Sequence, residues 1–189
     1  MPATGATLFV ANHVSWLDIL AINAVRPLRF VSKADIRSWP LLGWLTACGG
    51  TLFIERTRTR DALRVLHLVA DALKAGEQVA VFPEGTTSEG CGVLPFHANL
   101  LQAAIVAQAP VQPIALRYAD AQEPISSAAA YVGDTTLLES LWAVVSTTDL
   151  TVQVDFLTPL SSANLERRAL AARLSADITA QLDRMTTTA

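Results

Sequence analysis

With 189 residues, 51% of them hydrophobic and only 16% charged, the chain is sized for one domain with a substantial core. A formal net charge of −3 with 6% aromatic residues argues against nucleic acid as a partner. No apolar run reaches the roughly 18 residues of a membrane-crossing helix, and Cys48 and Cys91 have no thiol or imidazole at zinc-ligand spacing.

In chain order, short β-branched runs at 7–11, 29–32, 51–54, 78–82, 111–117 and 151–156 read as strands. Helical patterns are predicted between and after them, at 16–25, 37–47, 60–75, 98–107, 136–145 and 164–185. The best of these is 60–75, with Leu63, Leu66, Val69 (or Ala70) and Leu73 as its apolar stripe and Gly76 as its stop. His67 on that helix reads as a surface histidine. The alternation predicts a single α/β domain, its mixed and mostly parallel sheet flanked by helices. Residues 119–150 and the last helix carry no functional signal.

In such sheets chemistry gathers where strands end, and four junctions stand out. After the first strand comes Asn12-His13-Val14-Ser15-Trp16-Leu17-Asp18. On a regular helix five residues turn about 500°, so His13 and Asp18 would point roughly 140° apart. They meet only if His13 lies in the loop and Asp18 in the first helical turn. With Ser15 as N-cap, Asp18 falls at the third position of a capping box and reaches back toward that loop. A neutral imidazole there could take a proton from a hydroxyl, with the carboxylate fixing its tautomer. Taken alone, a capping acid beside a loop histidine accounts for the pair equally well.

The second junction, 50–56, ends in Glu55-Arg56. An arginine just past a strand can offer a planar fork to phosphate, or simply belong to a solvated cluster with Arg58 and Arg60. Residues 1–64 hold eight basic and four acidic groups, net +4, which suits an anionic ligand. The third junction, Phe82-Pro83-Glu84-Gly85-Thr86-Thr87-Ser88, breaks a strand with proline and places a carboxylate beside hydroxyls in a tight turn. It suits a polar headgroup, or is a plain turn. The fourth junction is marked by Pro113, which demotes its strand to an edge or a bulge, or marks a bend.

Together and in this order, these segments resemble the glycerolipid acyltransferase family. His13 and Asp18 look like its HxxxxD motif. Gly50 with Phe53–Arg56, Phe82–Thr86 and Val111–Ile114 look like its three later blocks, and the likeness spans roughly residues 7–118. The resemblance implies that His13 is the general base and Asp18 its orienting partner. Arg56 would contact an anionic acceptor head, with Lys33 a weaker choice for the same ligand, and Glu84, Gly85 and Thr86 would help bind that head. It implies transfer of an acyl group from acyl-CoA or acyl-carrier protein to a lysolipid hydroxyl. The default acceptor is 1-acylglycerol-3-phosphate, giving phosphatidic acid in phospholipid biosynthesis, with lyso-ornithine lipid the main alternative. It implies no metal and no bound cofactor.

Family members usually carry a membrane-binding segment before the first block, and only a short stretch precedes His13 here. The expected location is therefore peripheral, on the cytoplasmic side of a membrane. Trp39–Leu45, two indoles among leucines, suits contact with that surface or an acyl-chain groove, or equally ordinary core. Family sequence often has a basic residue and a glycine after the third block, where this chain reads Phe96-His97-Ala98-Asn99; His97 is a weak substitute for the basic residue. Two other readings remain at this point: a thioesterase-like hydrolase using the same pair, and an inactive lipid-binding remnant.

Overall fold

A computed structural model describes residues 1–33, 52–54 and 59–187, the side chains within 32–33, 52–54, 59–62 and at 187 excepted. The strands are β1 (Thr7–Ala11), β2 (Arg29–Lys33), β3 (Leu52–Ile54), β4 (Gln78–Val81), β5 (Val111–Ala119) and β6 (Thr151–Phe156). The described helices are α1 (Leu17–Val25), α2 (Thr59–Lys74), α3 (Leu101–Ala107), α4 (Leu137–Ser146) and α5 (Arg167–Thr187). The predicted helix over 37–47, like Trp39–Leu45 and Arg56, lies outside the described residues.

The strands form one sheet in the order β3-β2-β4-β1-β5-β6. All neighbours are parallel except β5 and β6, which run antiparallel. This is the mixed, mostly parallel sheet expected. β1 is central, and all five of its residues are buried. Leu8 and Val10 face a core completed by Val69 and Leu73 of α2, Leu101 of α3, and Leu170, Leu174 and Ile178 of α5. Phe9 and Ala11 face the opposite layer with Ile22 of α1, Phe30, Phe82 and Leu116. A strand covered on both faces must be apolar throughout, and each fully buried Leu or Phe stabilises the fold by about 1.5–3 kcal/mol.

Pairing of Val10 with Val81 in parallel register sets the carboxyl ends of β1 and β4 side by side at one sheet edge. The loop holding His13 and the turn holding Glu84 leave the sheet there as neighbours. Asn12 anchors the first of them: its amide accepts from Leu116 N at 2.8 Å and donates to Leu116 O at 3.0 Å. The side chain thus behaves as one more peptide unit of β1, facing β5.

Four local expectations are corrected. β5 is interior rather than an edge strand, lying between β1 and β6. Its Pro113 is tolerated because the β6 ladder starts one residue later, at Ile114 opposite Phe156, with Leu157 N donating to Pro113 O at 2.9 Å. α5 begins at Arg167 rather than 164, since Asn164 has φ of 60°, outside the right-handed helix region. α3 begins at Leu101, after a turn over 98–100. On α2 the buried side chains include Val65, Val69, Ala72 and Leu73, whereas Leu63 is 60% exposed; the predicted stripe was rotated at its first turn. Gly76 does stop that helix, with φ of 89° and its N–H on Leu73 O.

Candidate active site

His13 and Asp18 meet. The imidazole Nδ1 lies 2.7 Å from Asp18 Oδ2. The same carboxylate oxygen accepts the backbone N–H of Val14 at 2.7 Å and of Ser15 at 3.1 Å. Three residues of loop therefore wrap around one oxygen of an acid in the first turn of α1. Among the described residues His13 Nε2 makes no hydrogen bond, and the side chain is 20% exposed.

The predicted capping box is only half formed. Trp16, not Ser15, is the N-cap, without a side-chain cap bond, and the buried Ser15 hydroxyl has no partner among the described residues. Asp18 does reach back, but to the amides before the helix. Its negative charge at a helix N-terminus is favourable. The amide donors offset the desolvation of a side chain that is 0% exposed.

The other oxygen, Oδ1, accepts the hydroxyl of Tyr118 at 2.8 Å, near the end of β5. Tyr118 is buried, and burial first, then the Asp18 charge, pushes its phenol far above the ordinary value of 10.0, so it remains a donor. The sequence reading missed this residue. The available signal was strand alternation: Ile114 and Leu116 face the α1 layer, and position 118 follows with the same period of two.

Glu84 follows β4 and turns inward. Oε1 accepts the backbone N–H of His13 at 2.8 Å, and Oε2 that of Leu94 at 3.1 Å. Burial raises its pKa above the ordinary 4.5, partly offset by those two N–H bonds. Both oxygens of this predicted headgroup ligand are thus engaged by backbone. Gly85 has φ of 74°, which favours glycine, and its N–H closes the turn on Phe82 O at 3.2 Å. Thr86 beside it is exposed. Ser88 N and its hydroxyl both donate to His13 O, at 2.8 and 3.1 Å. Phe82 stacks on the His13 ring at 4.0 Å between centroids and 15° between planes. The imidazole is therefore fixed at its main chain, its ring face and one nitrogen.

Of the remaining candidates, Lys33 ends β2, next to β4, which leads into the Glu84 turn, while Arg56 lies outside the described residues. His97 and His67 are exposed; the His97 backbone N–H donates to Pro83 O at 2.8 Å. A separate cleft runs between β6 and α5, past Asp155, Asp177, Gln181 and Arg184, and includes none of the residues around His13.

Trp16, three residues from His13, donates its indole N–H to Ser140 of α4 at 3.0 Å. Ser140 is buried, whereas Leu138, Leu141, Trp142 and Val145 are exposed. These four recur at the three- and four-residue spacing of one helix face. An apolar face thus looks outward from the helix whose inner side touches the His13 loop.

The chain resembles known proteins in both sequence and fold. A family profile described as "Acyltransferase" matches residues 1–117. The chain is 44% identical over 161 residues to a 1-acyl-sn-glycerol-3-phosphate acyltransferase of Neisseria gonorrhoeae, covering 85% of this chain and 63% of that one. It is 40% identical over 169 residues to a lyso-ornithine lipid O-acyltransferase of Pseudomonas aeruginosa, covering 87% and 63%. The chain thus spans less than two thirds of the length of these relatives. The fold matches the crystal structure of the 1-acyl-sn-glycerophosphate acyltransferase of Thermotoga maritima, with a TM-score of 0.67 at 22% identity, over 97% of this chain and 68% of that one. On the family match and the relatives above 40% identity or at it, the chain belongs to the acyltransferase family.

Proposed function

We propose that the chain is an O-acyltransferase moving a fatty acyl group from a thioester donor, acyl-CoA or acyl-carrier protein, to the free hydroxyl of a lysolipid. The observation carrying this reading is the imidazole held through Nδ1 by a buried carboxylate, with Nε2 left without a partner among the described residues. His13 Nε2 takes the proton of the acceptor hydroxyl as that oxygen attacks the thioester carbonyl. Asp18 stabilises the imidazolium that forms. The tetrahedral intermediate collapses, the C–S bond breaks, and the carrier thiolate recovers the proton from His13. No protein nucleophile is required, since the acceptor supplies the oxygen.

In this reading Arg56 and Lys33 attract the anionic part of the acceptor. Thr86 touches it from the exposed turn, and Gly85 lets the backbone come close. Glu84 acts through the His13 backbone it holds. The acceptor is 1-acylglycerol-3-phosphate, as in the name of the Neisseria relative, with lyso-ornithine lipid, as in that of the Pseudomonas relative, the second choice. Donor class and acceptor identity are tested together. The protein is incubated with a panel of lysolipids and each donor type, and products are identified by mass. Acylated lysolipid supports the proposal; thiol release at the same rate without any lysolipid would make the protein a hydrolase and overturn it.

Because the acceptor is an amphiphile, the enzyme works at a lipid surface. The outward face of α4, with Leu138 78% and Trp142 72% exposed, supports peripheral contact there. No helix among the described residues is long and apolar enough to cross a membrane.

A further inference from the structure

The hydrogen bonds to Asp18 are unequally shared. Oδ2 receives three, from His13 Nδ1, Val14 N and Ser15 N, while Oδ1 receives one, from Tyr118. A carboxylate surrounded by donors on one side would ordinarily rotate to divide them between its two oxygens. Here it is held with all three on one atom. We propose that Tyr118 is the positioning residue of the acyl-transfer site, its hydroxyl occupying Oδ1 and so keeping Oδ2 aimed at the His13 imidazole.

Tyr118 is suited to this task. It sits one residue beyond the stretch matched by the family profile, on a nine-residue strand paired on both sides. Asn12 fixes that strand to the start of the catalytic loop at Leu116, two residues before Tyr118. Its ring packs with Val14 and Ala129, so the phenol cannot swing away without opening the layer. Among the described residues, the ionisable groups around His13 are Asp18 from α1, Tyr118 from β5 and Glu84 from the turn after β4. Of these, only Tyr118 is a neutral donor, and only it reaches Oδ1. It touches no reacting atom; its effect passes through Asp18.

This inference rests on His13 as general base, but its first test needs no turnover. The Tyr118→Phe variant keeps the ring and deletes the hydroxyl. Ring-nitrogen chemical shifts of His13 are read by nitrogen-15 NMR through its carbon-bound protons, with His67 and His97 as internal references. In the wild type, Nδ1 carries the proton and faces Asp18. In Tyr118→Phe the carboxylate rotates to satisfy Oδ1, and the two nitrogens move toward an averaged, tautomer-mixed pair. In the lysolipid assay kcat falls about tenfold with KM unchanged, the scale of one charge-assisted hydrogen bond. Unchanged ring nitrogens together with unchanged kcat, whatever the melting temperature does, would overturn the proposal.

Should Tyr118→Phe fail to fold, a fluorinated tyrosine at 118 keeps the hydroxyl and makes it a stronger donor. A stronger bond on Oδ1 keeps the carboxylate aimed but draws charge from Oδ2, so the His13 Nδ1 signal moves without tautomer mixing, and coincident signals would equally overturn the inference. A wild-type protein without transferase activity would defeat the functional reading alone, leaving the nitrogen shifts to decide this one.

Discussion

The carboxylate of Glu84 accepts the main-chain N–H of His13 at 2.8 Å across 71 residues of sequence, so the turn after β4 holds the loop after β1. Glu84→Gln tests what this contact does. A glutamine offers one oxygen to two backbone donors and points an N–H at the other, leaving one amide unsatisfied at a cost of about 1–3 kcal/mol. Turnover falls because the His13 loop shifts, and thermal melting reports the lost stability. The pH dependence has a definite sign. Burial raises the Glu84 pKa in the fold above 4.5, so between that value and the raised one the folded protein binds more protons than the unfolded. Stability contributed at this site therefore declines as pH rises through that window. The melting-temperature gap between wild type and Glu84→Gln narrows over the same range, and a gap that widens contradicts the assignment.

His13→Ala removes the proposed base, a partly buried ring stacked on Phe82. Its melting curve stays close to wild type while turnover drops by roughly a thousandfold or more. Asp18→Asn is expected to lose activity on the same order, because the neutral amide cannot stabilise an imidazolium and can present its own N–H to the imidazole. Steady-state kinetics with a saturating donor measure both, and an Asp18→Asn enzyme at wild-type rate would disprove the pairing.

Asn12 makes a separate prediction about stability. Asn12→Asp keeps the size but cannot donate to Leu116 O, and Asn12→Ala abandons both bonds. Each costs about 2 kcal/mol or more, as expected for buried peptide groups left unpaired. Denaturant unfolding at constant slope reads the difference; a loss well under that value in both variants would mean the clasp is idle.

The outward face of α4 gives the fourth test. Trp142→Ser and Leu138→Ser alter exposed side chains, so each changes stability by no more than about 0.5 kcal/mol. Together they are expected to reduce co-sedimentation with phospholipid vesicles severalfold while leaving activity on detergent-dispersed lysolipid intact. Unchanged sedimentation would remove this face from membrane contact.

How legible all this was in the sequence depended on how local the information was. The six strands were readable because β-branched runs alternate with helix-length segments, and β1 and β6 were found with their bounds. Helix starts were less readable. The left-handed Asn164 and the silent hydroxyl of Ser15 reflect turn geometry that residue type alone does not dictate. His13 and Asp18 could be paired on paper since five residues separate them. Tyr118 could not, standing 100 positions from Asp18, where only the strand register brings it in. The apolar pattern of α4 is not decisive by itself. Leu138, Leu141, Trp142 and Val145 have the spacing of a buried face, and the contact of Trp16 with Ser140 shows which side is turned inward.

The bonds that grip His13 and Asp18 from Glu84 and Tyr118 tie the loop after β1 and the first turn of α1 to two segments far along the chain. Closing loops of that length precedes any reward from the contacts they bring. The site therefore comes into being late, after β4 and β5 have docked on either side of β1. Recovery of activity on refolding is a clock for completion of the central sheet, and a chain cut short before β5 would leave the proposed base without its Tyr118 support.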